Sequence, residues 1–144
     1  MKRFSTLILF LCFAAPCAAQ QKENAMKIKL VFDGQAAVVS MTDNPAARQF
    51  LAMLPATFEF TDFAGQEKIA EFPRPVSLTD APRGMIAAAG KMFVYAPWGN
   101  LGIFYRDHGR SVDADLIHLG DVESGLNLLA EKRGGFTAKI DLLK

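Results

Sequence analysis

Cysteine is scarce in this sequence, and its placement limits the chemistry that the protein can perform. The only two cysteines, Cys12 and Cys17, both lie within the first 17 of the 144 residues. We expect that N-terminal segment to be removed from the mature chain. The mature chain then has no disulfide, no thiol nucleophile and no thiolate metal site, so its stability must come from packing.

An excess of charge and a long hydrophobic segment are also missing. The sequence has 16 lysine and arginine residues against 15 acidic ones, and the basic residues form no cluster. Nucleic acids and anionic membranes are bound through basic patches, so we expect neither as a partner. The longest apolar run, Leu7 to Ala15, is far shorter than the roughly 20 residues that cross a bilayer. We therefore expect no membrane insertion of the mature chain.

The N-terminus has the three parts of a secretory signal peptide. Lys2 and Arg3 precede the apolar run, and small residues follow it up to Ala19. The pattern predicts a signal peptide over residues 1–19, cleaved after Ala19, and export to the periplasm or secretion. A linker over residues 20–25 and a single domain over residues 26–144 would follow.

Two alternatives to a soluble exported protein remain open. Lipidation at Cys17 would anchor the chain, although Pro16 stands where a small flexible residue is wanted. A downstream start at Met26 would make the protein cytoplasmic, but it would leave the signal pattern upstream without a purpose.

The segment over residues 26–42 predicts a β-hairpin. Apolar and polar residues alternate along it, which is typical of half-buried strands. Asp33 and Gly34 suit a two-residue type I′ turn, because both tolerate positive φ. Such a turn would pair Leu30 with Ala37. The buried face would then contain Ile28, Leu30, Phe32, Ala37, Val39 and Met41.

A short amphipathic helix is predicted next, lying on a sheet. Asn44 can cap its first free amides, Pro45 suits the first helical position, and Pro55 prevents continuation. The apolar residues follow the spacing of one helical stripe, which consists of Ala47, Phe50, Leu51 and Leu54.

The rest of the chain predicts short strands separated by turns. Pro97 and Gly99 suit positions i+1 and i+3 of a turn between two of these strands. An irregular loop is expected over residues 77–90, and one or two helical turns over residues 123–131. The further strands are expected at residues 57–61, 67–72, 91–95, 101–106, 116–119 and 136–143. About eight short strands predict an all-β fold, a closed antiparallel barrel with one or two short helices over its ends.

Four stretches in this order are similar to the small bacterial cyclophilin-like domains. They are Leu54-Pro55, Glu67-Lys68-Ile69, Tyr95-Ala-Pro-Trp-Gly-Asn-Leu-Gly-Ile-Phe-Tyr105 and Leu119-Gly120. The resemblance covers residues 26–143 and implies a closed eight-stranded barrel with a helix over one end.

The resemblance does not imply prolyl isomerase activity. True cyclophilins have a Phe-His-Arg stretch, followed by a further Phe and a Gln-Gly-Gly motif. This chain has Phe72-Pro73-Arg74 without the histidine, and residues 76–88 lack the other two features. Only Arg74 can be carried over from that pattern.

The only tryptophan, Trp98, lies in a turn between aromatic strands, which favours the rim of a cleft over a buried core position. We predict that a groove near Arg74 and Trp98 binds a peptide or a small apolar ligand, without a cofactor. The predicted ligand-binding residues are Phe72, Arg74, Tyr95, Trp98 and Tyr105. A weak prolyl isomerase that uses Arg74 as hydrogen-bond donor is one alternative. A structural or interaction module without a ligand site is another.

The remaining polar residues favour structural roles, and we identify no catalytic residue among them. For Glu67, we expect the carboxylate to bind backbone amides of a loop rather than to act as a general base. Ser111 lacks the Gly-x-Ser-x-Gly context of hydrolases. A group of acids and histidines matches no compact metal-ligand spacing, so we predict no metal site; its members are Asp107, His108, Asp113, Asp115 and His118.

Overall fold

The computed structural model describes residues 25–144, and the predicted signal peptide lies outside the described residues. Ten strands and two helices are present in this part of the chain. The strands are β1 (Lys27–Phe32), β2 (Gln35–Met41), β3 (Ala56–Phe63), β4 (Glu67–Ala70), β5 (Met85–Ile86), β6 (Lys91–Tyr95), β7 (Asn100–Phe104), β8 (Val112–Asp113), β9 (Leu116–Ser124) and β10 (Phe136–Leu142). The helices are α1 (Pro45–Leu51) and α2 (Leu126–Glu131).

Eight of these strands form a closed antiparallel barrel, in the order β1-β10-β3-β4-β7-β6-β9-β2. Closure leaves no unpaired strand edge in the barrel wall. This confirms the predicted fold class. None of the helices in residues 25–144 is long and apolar enough to span a membrane.

The first hairpin has the predicted register. Leu30 pairs with Ala37, and Ile28 pairs with Val39. Asp33 and Gly34 have φ values of 48° and 72°, as the tight turn requires. All six residues predicted for the buried face are buried. They join Phe58, Phe60 and Phe136 in the barrel core, where the rings of Phe60 and Phe136 are stacked with centroids 5.3 Å apart.

The helices lie at opposite ends of the barrel, because each follows one of the antiparallel neighbours β2 and β9. Asn44 caps α1, and its Oδ1 accepts a hydrogen bond from the Ala47 amide at 2.9 Å. Phe50 of α1 and Leu129 of α2 are fully buried, and through them both helices pack against the barrel core. Helix α1 ends at Leu51, earlier than the predicted Leu54.

Two predicted segments differ from the structure. The loop over residues 77–90 is not wholly irregular, because β5 lies in it and pairs with β8 in a separate two-stranded ribbon. Two-residue strands give no periodic pattern, so the sequence could not reveal this pairing. Strand β9 continues to Ser124, well beyond the predicted Leu119. This extension shortens α2 at its start relative to the predicted 123–131.

Candidate functional site

The candidate site lies on the outer face of the barrel wall, above strands β4, β7, β6 and β9. Side chains alternate across a strand, so Met92 and Val94 of β6 enter the core while Phe93 and Tyr95 face outward. The outward side chains are nevertheless apolar, and part of the segment before β6 covers them. This second apolar cluster consists of Met85, Ala87, Phe93, Phe104 and Leu116, with Tyr95 packed against it.

A cavity of about 300 Å³ opens beside this second cluster. That volume falls at the lower end of the range for small-molecule sites. Its walls combine aromatic rings with a few polar groups. The aromatic residues are Phe63, Phe93, Tyr95, Trp98 and Phe104, and the polar ones are Gln66, Glu67, Asn100, His108 and Asp113.

Strand register explains how the wall of the cavity is assembled. Glu67 of β4 lies opposite Phe63 of β3 on one side and opposite Phe104 of β7 on the other. Directly opposed residues have their Cβ atoms about 5 Å apart on the same face of the sheet. The carboxyl group of Glu67 therefore lies in a row between two aromatic side chains.

Trp98 stands at the rim of the cavity, as the sequence predicted. It is 59% exposed, in the turn where the Tyr95 carbonyl accepts hydrogen bonds from the Trp98 and Gly99 amides at 3.2 and 2.7 Å. Its ring packs edge-on against Tyr95 at a centroid distance of 5.3 Å and against Phe63 at 5.6 Å. Both interplanar angles are close to a right angle, at 90° and 83°. Three aromatic side chains thus form an open corner.

Asn100 is the polar residue of the lining that is most deeply buried. It is 3% exposed, and it is the first residue of β7, paired with Tyr95. Its Oδ1 is buried without a hydrogen-bond partner. A buried acceptor that lacks a donor costs roughly 1–3 kcal/mol, so such groups are uncommon in folded proteins.

The carboxyl group of Glu67 is the most perturbed acid in the described chain. Burial raises its pKa from an ordinary 4.5 to about 7. No hydrogen bond or neighbouring cation among the described residues offsets this burial. The expectation that Glu67 binds backbone amides of a loop is therefore wrong, because such bonds would lower its pKa instead.

The polar segment between β7 and β9, which contains β8, contributes His108 and Asp113 to the lining. The His108 ring lies parallel to Phe104, with centroids 6.0 Å apart, and its Nδ1 is hydrogen-bonded to the Gln66 side chain. Asp107 accepts a hydrogen bond from the Ala89 amide at 2.8 Å. His118 belongs to another part of the wall, where it contacts the Gly120 carbonyl at 3.0 Å. No three acids, histidines or cysteines in residues 25–144 are arranged to hold a metal ion.

The structure does not bring the five predicted ligand-binding residues together. Tyr95 and Trp98 line the cavity. Phe72 packs instead edge-on against Phe50 and Phe58, with both centroids about 6 Å away. Arg74 is exposed and donates a long hydrogen bond of 3.4 Å to the carbonyl of Ala52, just after α1. Phe72 and Arg74 therefore lie next to α1 rather than beside the cavity.

Tyr105 belongs to a different cluster, around a lysine that the sequence analysis missed. Lys68 points into the barrel and is fully buried, with its Nζ 2.6 Å from Oδ1 of Asp62. It also donates to the Lys132 carbonyl and lies 4.7 Å from the centre of the Tyr105 ring. The Tyr105 hydroxyl donates to the same Asp62 oxygen at 2.7 Å. Burial favours the neutral acid, but the hydrogen bonds from Lys68 and Tyr105 outweigh it and lower the pKa of Asp62.

Sequence reasoning also missed Phe63, Phe93, Asn100 and Phe104 as lining residues. The apolar composition of two strands could have revealed Phe93, Asn100 and Phe104. Strands β6 and β7 are apolar at nearly every position, and such runs are typical of strands that are covered on both faces. A covered outer face next to an exposed tryptophan would have placed the cavity there. Phe63 could not be found this way, because it lies on β3 and contacts Trp98, in the β6–β7 turn, across the intervening strand β4.

Comparisons with known proteins agree with this architecture. The model of a family described as the cyclophilin-like family matches residues 30–141. A hypothetical protein of Archaeoglobus fulgidus, known from its solution structure, is similar in fold, with a TM-score of 0.64. The two chains are 11% identical over 83% of this chain and 95% of the other. The comparison with curated proteins gave no significant match.

Proposed function

This chain belongs to the cyclophilin-like family, and on that premise we propose that it binds a small, largely apolar ligand in the cavity beside Trp98. The family sets the fold and leaves the ligand open. Because residues 1–19 have the pattern of a signal peptide, we further propose that the protein acts in the periplasm or outside the cell.

The unpartnered Oδ1 of Asn100 is the observation that supports a ligand most directly. Asn100 is buried, and it belongs to the lining of the cavity. A ligand that donates a hydrogen bond there would recover the energy that the unpaired oxygen costs. A cavity that only filled space in the fold would gain nothing from a polar group at this position.

The aromatic walls indicate what the rest of the ligand is like. Phe93 and Phe104 are stacked with centroids 4.3 Å apart, while Tyr95 and Trp98 form the rim. Such rings bury flat apolar groups well, and one fixed polar group then sets the orientation. A small aromatic or aliphatic amide fits this description, either as a free molecule or as part of a peptide.

The prolyl isomerase alternative has less support. It needs a hydrogen-bond donor above the bound prolyl ring, and Arg74 was the only candidate. Arg74 does not line the cavity and faces the carbonyl of Ala52 instead. A structural module without a ligand would leave both the exposure of Trp98 and the unpaired oxygen of Asn100 without an explanation.

The proposal is tested by titrating the protein with N-methylbenzamide, which has one aromatic ring and one amide donor. Trp98 is the only tryptophan, so its fluorescence reports on the cavity rim alone. We expect a saturable change in fluorescence, with amide NMR shifts concentrated at Gln66, Asn100 and Trp98. Arg74→Ala is the control and should bind as the wild type does. A response that does not saturate, or NMR shifts concentrated around Phe72 and Arg74, would overturn the proposal.

A further inference from the structure

The polar groups that line the cavity are acidic rather than evenly mixed. Its two charged side chains are Glu67 and Asp113, and neither lysine nor arginine is among the residues that line it. We propose that the ligand carries an organic ammonium group, which lies between the aromatic corner at Trp98 and the carboxyl group of Glu67. This inference rests on the proposed function and adds the chemical class of the ligand.

The aromatic corner has the geometry of a cation site. The Trp98 ring meets the rings of Tyr95 and Phe63 almost at right angles, with centroid distances of 5.3 and 5.6 Å. A cation within about 6 Å of a ring centre is attracted by the ring's electron-rich face, and tryptophan is the strongest partner. Phe63 and Trp98 are 40% and 59% exposed, so a ligand can reach this corner from solvent.

Above pH 7, Glu67 supplies a negative charge that no lysine or arginine lining the cavity neutralises. Its neighbour in sequence, Lys68, points to the other side of the sheet and is bound to Asp62. The Oε1 atom of Gln66 is hydrogen-bonded to His108. An ionised carboxylate in an apolar setting is stabilised by a paired cation. Above pH 7 the half-buried Glu67, flanked by Phe63 and Phe104, has no lysine or arginine beside it in the lining, so a cationic ligand can supply the partner.

Asn100 gives an independent reason to place a donor in this cavity. An ammonium group carries N–H donors, and the unpaired Oδ1 of this buried asparagine can accept one of them. A neutral apolar ligand would satisfy the aromatic walls alone. An anionic ligand would meet Glu67 and Asp113, with neither lysine nor arginine in the lining to compensate.

The test compares two probes of nearly equal shape, benzylammonium and benzyl alcohol, by Trp98 fluorescence. The measurement is made above pH 7, because burial raises the pKa of Glu67 to about 7. We expect benzylammonium to bind at least about tenfold more tightly, in keeping with a desolvated cation–π contact and an ion pair. In Glu67→Gln, which keeps the cation–π contact and loses the ion pair, this preference should fall to roughly two- to fivefold.

A matched control and a reference ligand make each outcome informative. Glu71→Gln removes an exposed acid just beyond β4, outside the cavity, and should keep the full preference for benzylammonium. Equal affinity for both probes, or a preference that is undiminished in Glu67→Gln, would overturn the inference. Binding of N-methylbenzamide but of neither probe would also overturn it and leave the proposed function intact. If none of the three compounds binds, both proposals are wrong.

Discussion

The ring of Phe93 lies directly over its cross-strand partner Gly102, so closely that no side chain fits beneath it. A Cβ atom built at Gly102 would be only 2.2 Å from Cζ of Phe93. The same ring stacks on Phe104 and forms part of the cavity wall. The absence of a side chain at residue 102 therefore sets the position of the aromatic wall.

Gly102→Ala should displace Phe93 and deform the cavity. The methyl group meets the far end of a rigid, buried ring, its Cζ and both Cε atoms, rather than a flexible chain end. Overpacking of this kind typically costs about 1–3 kcal/mol. We expect a lower midpoint of denaturant unfolding and weaker binding of N-methylbenzamide. Gly109→Ala is the control, because a Cβ there would have no atom within 4 Å. Unchanged stability and binding in Gly102→Ala would show that Phe93 is not held in place by this contact.

The sequence predicted the elements that depend on local signals. The Asp33-Gly34 turn and the alternation of apolar and polar residues on both sides of it determine the first hairpin. The Asn44 cap and Pro45 determine the start of α1. These features need no information about distant parts of the chain.

The candidate site was predicted less well, because it depends on contacts between distant residues. Trp98 was placed correctly at a rim, since a tryptophan in a turn has little core to enter. Phe72 and Arg74 were grouped with it because of the cyclophilin pattern, but the chain after β4 leads them towards α1. The sequence analysis assigned no role to Lys68, because nothing local marks a lysine as buried, and only the strand register shows that it points into the barrel.

Glu67 should make the stability of the protein depend on pH between 4.5 and about 7. Its pKa is raised on folding, so the folded state holds a proton that the unfolded state releases in this window. The resulting stabilisation is complete below the unfolded pKa and is lost as the pH rises through the folded pKa. The free energy of unfolding should therefore fall with rising pH, by at most about 1.4 kcal/mol per pH unit.

Glu67→Gln isolates this contribution. Asp113 and His108 also face the cavity, but they are present in both proteins and their effects cancel in the comparison. We expect chemical denaturation of the variant to show a flatter pH profile over the window. Parallel profiles for the two proteins would mean that the Glu67 carboxyl group is hydrated and titrates normally.

Replacing Asp62 should lower the free energy of unfolding much more than replacing Lys68. Lys68 is fully buried, whereas the Asp62 side chain is 29% exposed. Asp62→Ala leaves a buried ammonium group without its carboxylate and should cost about 3 kcal/mol. Lys68→Met places an apolar chain of similar length in the barrel and leaves an acid that water can reach. We expect it to cost about 1 kcal/mol or less. Equilibrium unfolding in denaturant measures both, and a larger loss in Lys68→Met would refute this view of the pair.

Asn100→Leu should make the protein more stable and a poorer binder at the same time. The substitution keeps the approximate size of the side chain and removes the buried oxygen that lacks a partner, so we expect a gain of about 1 kcal/mol in the free energy of unfolding. It also removes the acceptor for the ligand's N–H, so affinity for N-methylbenzamide should fall by about tenfold. Opposite effects on folding and binding are typical of residues retained for function.

The control is Asn127→Leu, on the exposed side of α2. It should change the free energy of unfolding by no more than about 0.5 kcal/mol and leave binding unaltered. If Asn100→Leu destabilises the protein, the Asn100 side chain stabilises the folded state, and the main evidence that the cavity binds a ligand is lost.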